Sequence, residues 1–295
     1  MLPVTDLLSL VTYHSSPLMV FMKIIFHFSD IHFGGPQAPN VADAILTEIK
    51  RISPAVVVVS GDLTQRARTA QFRQARAFLD SINAPLIVVP GNHDVPLWNV
   101  FDRFVSPLEK YRRWVTDDLN PVYKDDELIV MGIDTTRSFT IKGGSIGSDD
   151  LKMVRDRMCE LPSNRFKVLV GHHPLVQPPG QEHEDTVGGL KRALNLFGQC
   201  GIDMVLTGHL HEAYATFHPQ AERGIMIVQA GTAASLRGRG SERLKNSFNL
   251  IQVDEQDVRV TSYVYNSEHA NFKAEKSWDW PRHRAASQSH DSTHV

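Results

Sequence analysis

The sequence predicts an α/β fold in which two β-sheets pack face to face with helices on the outside. Short apolar runs rich in Val, Ile and Leu recur along the 295 residues, which is typical of buried strands. Stretches with apolar residues at helical spacing separate the earlier runs. After residue 211 the runs follow one another without helices between them. Strand–helix alternation followed by strands indicates two sheets with helices outside.

The predicted strands are, in chain order, Ile24–Phe28, Val56–Val59, Leu86–Val89, Lys167–Val170, Met204–Leu206, Ile225–Ala230, Phe248–Val253 and Val258–Tyr265. Helices are predicted over Asn40–Ile52, Gln65–Ile82, Ser148–Met158 and Gly188–Gln199. Ser148 is the predicted N-cap of the third helix, where Asp149 and Asp150 would interact favourably with the helix dipole.

Composition is that of a globular domain, with 42% hydrophobic and 22% charged residues. The formal net charge of −2 gives no general attraction to nucleic acid or to anionic membranes, so neither is an expected partner. We expect one domain over residues 22–268, a disordered or mis-started extension over residues 1–21 and a disordered tail over residues 269–295.

Two sequence features indicate a cytoplasmic protein. The apolar stretch before Lys23 has no basic residue ahead of it and is interrupted by Ser and Pro, unlike a signal peptide or a membrane span. Cys159 and Cys200 are the only cysteines, and their positions predict two free thiols in a reducing compartment.

Five short polar segments lie at or just beyond the ends of predicted strands, where α/β sheets place their functional groups. They are Asp30-Ile31-His32, Gly61-Asp62, Gly91-Asn92-His93-Asp94, Gly171-His172-His173-Pro174 and Gly208-His209-Leu210-His211. Imidazole and carboxylate groups without Cys favour Zn, Fe, Mn or Ni over a structural thiolate site. Seven candidate ligands are too many for one tetrahedral ion and fit two ions that share a carboxylate. Two metals can generate hydroxide and clamp a reacting phosphate, so the sequence predicts hydrolysis of a phosphate ester.

This ordered set of motifs resembles that of the calcineurin-like metallophosphoesterase family, whose fold is a two-sheet β-sandwich flanked by helices. The resemblance implies that Asp30, His32 and His211 bind a first metal, that Asn92, His172 and His209 bind a second, and that Asp62 bridges them. It implies that His93 meets the substrate phosphate as an acid or as a transition-state stabiliser, and that Asp94 orients His93. Only one member of the His172–His173 pair matches a ligand position, so we expect a structural or supporting role for His173.

The motifs look most like those of the bacterial class III cyclic-nucleotide phosphodiesterases. The resemblance therefore implies a phosphodiesterase that attacks cyclic nucleotides or other small diesters with a hydroxide bridging two Mn, Fe or Zn ions. Alternatives are a phosphomonoesterase or a glycerophosphodiesterase of the same family and, outside the enzymes, a metal-free scaffold with this fold. The complete ligand set argues against the scaffold. Oligomeric state stays open.

Two segments could contact a substrate. Residues 96–121 carry aromatic residues and arginines, and they form either a helical cap beside the metals or a helix packed on the core. The Gly-rich loop over residues 231–240 contains Arg237 and Arg239, whose guanidinium groups could bind phosphate. The acidic loop over residues 178–189 is a candidate for part of the rim.

Overall fold

The computed structural model describes residues 22–97, 100–139, 143–162, 164–219 and 224–282. The extension predicted over residues 1–21 and the last part of the predicted tail lie outside these ranges. Within them, no helix combines the length and apolar character needed to cross a membrane.

Strands and helices alternate through most of the chain. The strands are β1 (Lys23–Phe28), β2 (Val56–Val59), β3 (Leu86–Val88), β4 (Val122–Lys124), β5 (Leu128–Gly132), β6 (Phe166–Val170), β7 (Met204–Thr207), β8 (Tyr214–His218), β9 (Ile225–Gln229), β10 (Ser247–Val253), β11 (Asp257–Asn266) and β12 (Asn271–Pro281). The helices are α1 (Val41–Ile52), α2 (Thr69–Asp80), α3 (Val100–Val105), α4 (Glu109–Trp114), α5 (Ser148–Val154) and α6 (Leu190–Gln199). A π-helical segment, Arg155–Cys159, continues α5.

The strands form two six-stranded mixed sheets, ordered β12-β11-β10-β1-β2-β3 and β4-β5-β6-β7-β9-β8. In the first sheet β1, β2 and β3 are parallel, and in the second sheet β5, β6, β7 and β9 are parallel. In the second sheet the parallel strands are central and antiparallel strands form both edges, whereas in the first sheet the parallel strand β3 forms one edge and the antiparallel strand β12 the other. The predicted α/β architecture with two sheets is confirmed.

Side-chain alternation divides the apolar residues into three layers. Ile25 and Val58 of the first sheet share a cluster with Val168 and Val228 of the second, which forms the core between the sheets. The alternate residues of the first sheet, such as Phe26, lie on its other face and pack with α1 and α2. The outer face of the second sheet packs with α5 and α6 in the same way. The molecule is therefore a four-layer α/β/β/α sandwich.

All eight predicted strands are present, but β4, β5, β8 and β12 were not predicted. The tail predicted as disordered from residue 269 is wrong over Asn271–Pro281, which pairs along β11. This stretch is mostly polar because it is an edge strand. Its Trp278 and Trp280 pack against the core between the sheets.

Two local predictions also need correction. Gly147, not Ser148, is the N-cap of α5, and its amide N–H donates to Asp150 Oδ2 at 2.7 Å. Cys159 and Cys200 are joined in a disulfide rather than free, because the π-helical segment and α6 end side by side and bring the two Cα atoms within 4.0 Å.

Candidate metal centre

Four of the predicted ligands converge where the carboxyl ends of β1, β2 and β7 meet. Asp30, His32, Asp62 and His211 are buried, and their ligand atoms all lie within 4.8 Å of one another. His32 Nε2 is 3.3 Å from His211 Nε2 and 3.4 Å from Asp30 Oδ1. These residues are the first-metal set and the bridging carboxylate that the motifs predicted.

The other three predicted ligands form a second group beside the first. Asn92 Oδ1 is 3.2 Å from His172 Nε2 and 3.0 Å from His209 Nδ1, and the two ring nitrogens are 3.2 Å apart. Asp62 lies between the groups, with Oδ2 3.6 Å from His32 Nε2 and Oδ1 3.5 Å from His172 Nε2. Each carboxylate oxygen of Asp62 therefore faces a different group.

Backbone carbonyls orient two of the imidazoles. His172 Nδ1 donates to Ser60 O at 2.7 Å, and His211 Nδ1 donates to Arg237 O at 2.7 Å. A carbonyl oxygen can only accept, so Nδ1 carries a proton in both rings and Nε2 is the nitrogen left to bind a metal. Both Nε2 atoms are thereby directed into the centre.

The arrangement of donor atoms shows that a cation fits here. His211 Nε2 is 3.0 Å from Asp30 Oδ1, and Asp30 Oδ1 is buried without a hydrogen-bond partner. A buried carboxylate oxygen without a partner is unfavourable, and a metal ion held by Asp30 and His211 would remove that cost. Nitrogen and oxygen donors of this kind suit Mn, Fe or Zn.

Electrostatics in the second group depend on Asp62. Burial would lower the pKa of His172, but the Asp62 carboxylate raises that pKa to about 9. The His172 imidazole in turn lowers the pKa of Asp62, against the effect of burial. Burial lowers the pKa of His209 to about 3. Metal binding at this group therefore displaces a proton from His172 and meets His209 already neutral.

Five of the seven ligands have a backbone that L-residues rarely adopt. The φ angles of Asp30, His32, Asp62, His209 and His211 lie between 54° and 74°. A left-handed conformation costs a non-Gly residue roughly 1–2 kcal/mol, and such outliers concentrate at functional sites. The tertiary structure holds these turns so that their side chains point to the centre.

The glycines of the motifs leave room for ligand side chains. A Cβ on Gly91 would collide with the carboxylate of Asp62, and a Cβ on Gly208 would collide with Ser29 Oγ and lie 2.7 Å from Asp30 Oδ2. Gly91 is therefore required by close packing against Asp62, and Gly208 by close packing against Ser29 and Asp30.

His93 lies at the centre without joining either group. Its Nδ1 donates to Gln65 O at 2.9 Å, and its Nε2 is 3.2 Å from Arg237 Nη1. The His93 ring centroid is 4.8 Å from that of His32. The structure thus places His93 beside the centre with Nε2 directed to Arg237.

The predicted role of Asp94 needs correction, because Gln65 O rather than Asp94 contacts the His93 ring. The buried Asp94 carboxylate instead accepts hydrogen bonds from the amides of Leu63, Thr64 and Gly91. It therefore joins the loop after β2 to the turn after β3. Asp94 acts on His93 only through the position of these backbone segments.

The two loop arginines differ. Arg237 is partly buried beside His93 and also approaches Gln65 Oε1 at 3.4 Å. Arg237 and Arg239 both line a small cavity over Asp62, Asn92 and His209. There Arg239 forms an ion pair of 2.9 Å with Glu184 of the acidic loop. Gln65 and Arg66 were not predicted as site residues from the sequence, although they follow Asp62 closely. They line a second cavity, which lies next to His93.

The structure also settles the surroundings of the other predicted segments. His173 is buried, with Nδ1 2.8 Å from Thr135 Oγ1, in a supporting position. The 96–121 segment contains α3 and α4. Part of it packs in the core, since Tyr111 is fully buried. Its Leu97 lines the cavity beside His93. Trp98 lies outside the described residues.

Known proteins resemble this chain in sequence and in fold. A probable cyclic nucleotide phosphodiesterase from Synechococcus sp. is 28% identical over 178 residues, which cover 59% of this chain and 64% of that protein. A probable glycerophosphodiester phosphodiesterase from Arcobacter nitrofigilis is 26% identical over 65% of this chain and 73% of its own length. A purple acid phosphatase from yellow lupin has a similar fold, with a TM-score of 0.69 at 12% identity over 88% of this chain and 54% of its own.

The family model agrees with these relatives and with the geometry of the centre. The model of the calcineurin-like phosphoesterases matches residues 24–213, a range that contains all seven predicted ligands. The chain belongs to the calcineurin-like phosphoesterase family.

Proposed function

We propose that this protein is a two-metal phosphodiesterase that hydrolyses cyclic nucleotides or other small phosphodiesters. The observation that carries the proposal is the position of Asp62, whose two carboxylate oxygens face two separate groups of three ligands. Asp30, His32 and His211 would hold one ion, and Asn92, His172 and His209 the other. When bound, the two ions lower the pKa of water and offset the charge of the phosphate.

His93 and Arg237 are the protein groups placed to act on the phosphate. Gln65 O holds the Nδ1 proton of His93, so Nε2 is the atom that meets the substrate. Arg237 Nη1 lies 3.2 Å from Nε2 and can donate to a phosphate oxygen at the same place. In this arrangement His93 assists the leaving oxygen, and Arg237 holds a phosphate oxygen. Arg239, paired with Glu184, is the weaker candidate for substrate contact.

A glycerophosphodiesterase is the second candidate, because a glycerophosphodiester phosphodiesterase stands among the relatives beside a cyclic nucleotide phosphodiesterase. A phosphomonoesterase would use the same centre. Manganese, iron or zinc are the proposed metals, since they share nitrogen and oxygen ligation. The cytoplasmic location, the domain limits and the lack of a nucleic-acid partner stay predictions from the sequence.

Metal analysis of wild-type protein and of Asp62→Asn tests the proposal. We expect about two ions per chain in wild type, and a joint loss of metal and activity in Asp62→Asn, because one carboxylate supports both sites. Asp43→Asn, at an exposed position, is the matched control. A panel of cyclic nucleotides, glycerophosphodiesters and phosphomonoesters then ranks the substrates. Full activity with a single bound ion would contradict the two-metal site.

A further inference from the structure

A cavity of about 250 Å³ opens beside the metal centre on the side of His93. Arg66 and Arg237 line it, together with the apolar side chains of Val95 and Leu97. No acidic residue is among the described residues of its wall. The cavity therefore offers two guanidinium groups and an apolar surface, with no carboxylate to offset the positive charge.

The small cavity directly over the metal centre differs in charge from this one. There Arg239 is neutralised by Glu184, with 2.9 Å between Nη1 and Oε1. The cavity beside His93 therefore has more unneutralised positive charge than the cavity over the centre. A diester with one anionic and one neutral arm is bound more favourably with the anionic arm beside Arg66 and Arg237.

The position of His93 identifies the arm that occupies this cavity. His93 lines the cavity, and in the proposed function it assists the leaving oxygen. The arm that lies in the cavity is therefore the one that leaves. The metal ions and Arg237 Nη1 would already offset the single charge of the phosphodiester, so the additional guanidinium group of Arg66 beside Arg237 indicates a second anionic group on the substrate.

We infer that the preferred substrate is a phosphodiester whose leaving arm carries a second anionic group, a carboxylate or a phosphate, bound by Arg66 and Arg237. The inference rests on the proposed function. In the reaction the oxygen of water bonds to phosphorus as the P–O bond to the anionic arm breaks. The electron pair stays on the leaving oxygen, which takes up a proton. The products are the anionic alcohol and the phosphomonoester of the other arm.

Two pairs of synthetic diesters test which arm matters. In the first pair the leaving phenol is charged or neutral: methyl 3-carboxyphenyl phosphate and methyl 3-carbamoylphenyl phosphate. In the second pair 4-nitrophenol leaves and the retained arm is 3-carboxybenzyl or 3-carbamoylbenzyl. Each kcat/KM is divided by the rate of hydroxide-catalysed hydrolysis of the same ester, which corrects for leaving-group reactivity. The proteins are wild type, Arg66→Met and the control Arg68→Met, which removes an exposed arginine that does not line the cavity.

We expect wild type and Arg68→Met to prefer the charged leaving arm by about tenfold, and Arg66→Met by about threefold or less. The second pair should show no such preference in any of the three proteins. Equal rates for the first pair in wild type, or a preference that Arg66→Met retains in full, would overturn the inference while leaving the phosphodiesterase intact. Hydrolysis of none of the four esters by metal-loaded protein would instead overturn the proposed function, and the inference with it.

Discussion

One nitrogen of the His93 imidazole contacts a hydrogen-bond acceptor, and the other contacts a cationic group. The carbonyl of Gln65 keeps a proton on Nδ1, and the Arg237 guanidinium lies against Nε2. The ring is thus held at two points without a metal. Removal of this side chain leaves all seven ligands in place, so its effect on catalysis can be separated from metal binding.

We predict that His93→Ala keeps both ions and loses about a hundredfold to ten-thousandfold in kcat, the usual range for acid–base groups. The deficit should be smaller for 4-nitrophenyl esters, whose leaving group needs little protonation, than for esters with an alkoxide leaving group. Metal analysis and kcat for both ester types measure this, with His269→Ala at an exposed position as control. Equal deficits would indicate phosphate binding or charge stabilisation, and loss of metal would make His93 a ligand.

The sequence predicted which side chains converge better than it predicted the groups that support them. Asp30, Asp62 and His172 were identified because each lies in a short motif after a strand, and such motifs can be read locally. The contact between Gln65 O and His93 spans 28 residues, and it depends on how the loop after β2 lies against the turn after β3. No local pattern records that packing, so the partner of His93 was assigned wrongly to Asp94.

At the scale of elements, Lys167 connects the ends of two helical segments. It lies on β6, is almost fully buried, and donates to the carbonyls of Met158, Leu161 and Cys200 at 2.9–3.0 Å. Leu161 O and Cys200 O lie just after the ends of the helical segments, and Met158 O, inside the π-helical segment, also accepts from the Glu160 amide. A buried ammonium therefore satisfies both ends, beside the Cys159–Cys200 disulfide.

We predict that Lys167→Met lowers the free energy of unfolding by about 2–4 kcal/mol, because it leaves buried carbonyls without donors. Urea unfolding measures the change, and Lys191→Met, on the exposed face of α6, is the control. Metal content should stay normal, since Lys167 lies near the start of β6 and His172 follows its end. An unchanged unfolding free energy would show that other groups or water satisfy these carbonyls.

Prediction of strands succeeded for most of those buried on both faces and failed at three sheet edges, β4, β8 and β12, although it also missed the buried internal strand β5. A central strand such as β2, with four buried valines, is a continuous apolar run that sequence alone reveals. The edge strand β12 is mostly polar and alternates with partial burial, so its composition is that of a solvated tail. The composition of β12 does not indicate that this segment pairs with β11.

At the scale of the whole molecule, the centre joins the two sheets. Asp30, Asp62 and Asn92 follow strands of the first sheet, and His172 and His209 follow strands of the second. Each ion would take ligands from both sheets. Metal binding thus adds a cross-link at the rim, where the apolar core between the sheets ends.

We predict that chelation lowers the melting temperature by about 5–10 °C, as expected if bound metal contributes a few kcal/mol to a domain of this size. Without metal, the buried Asp30 Oδ1 has no hydrogen-bond partner. Differential scanning calorimetry before chelation, after chelation and after metal is restored measures the change. An unchanged melting temperature, with metal loss verified, would rule out a stabilising cross-link.

The left-handed backbone of five ligands has a consequence for the order of folding. An unfolded chain rarely holds all five of these conformations together, although Asp and His adopt them more readily than most L-residues. We predict that the turns become fixed only after the sheets have paired, beyond the rate-limiting barrier. Metal should therefore leave the refolding rate unchanged and slow unfolding, which stopped-flow chevrons with and without metal can measure. The ions would determine how long the finished enzyme lasts, and the sheets alone how fast it forms.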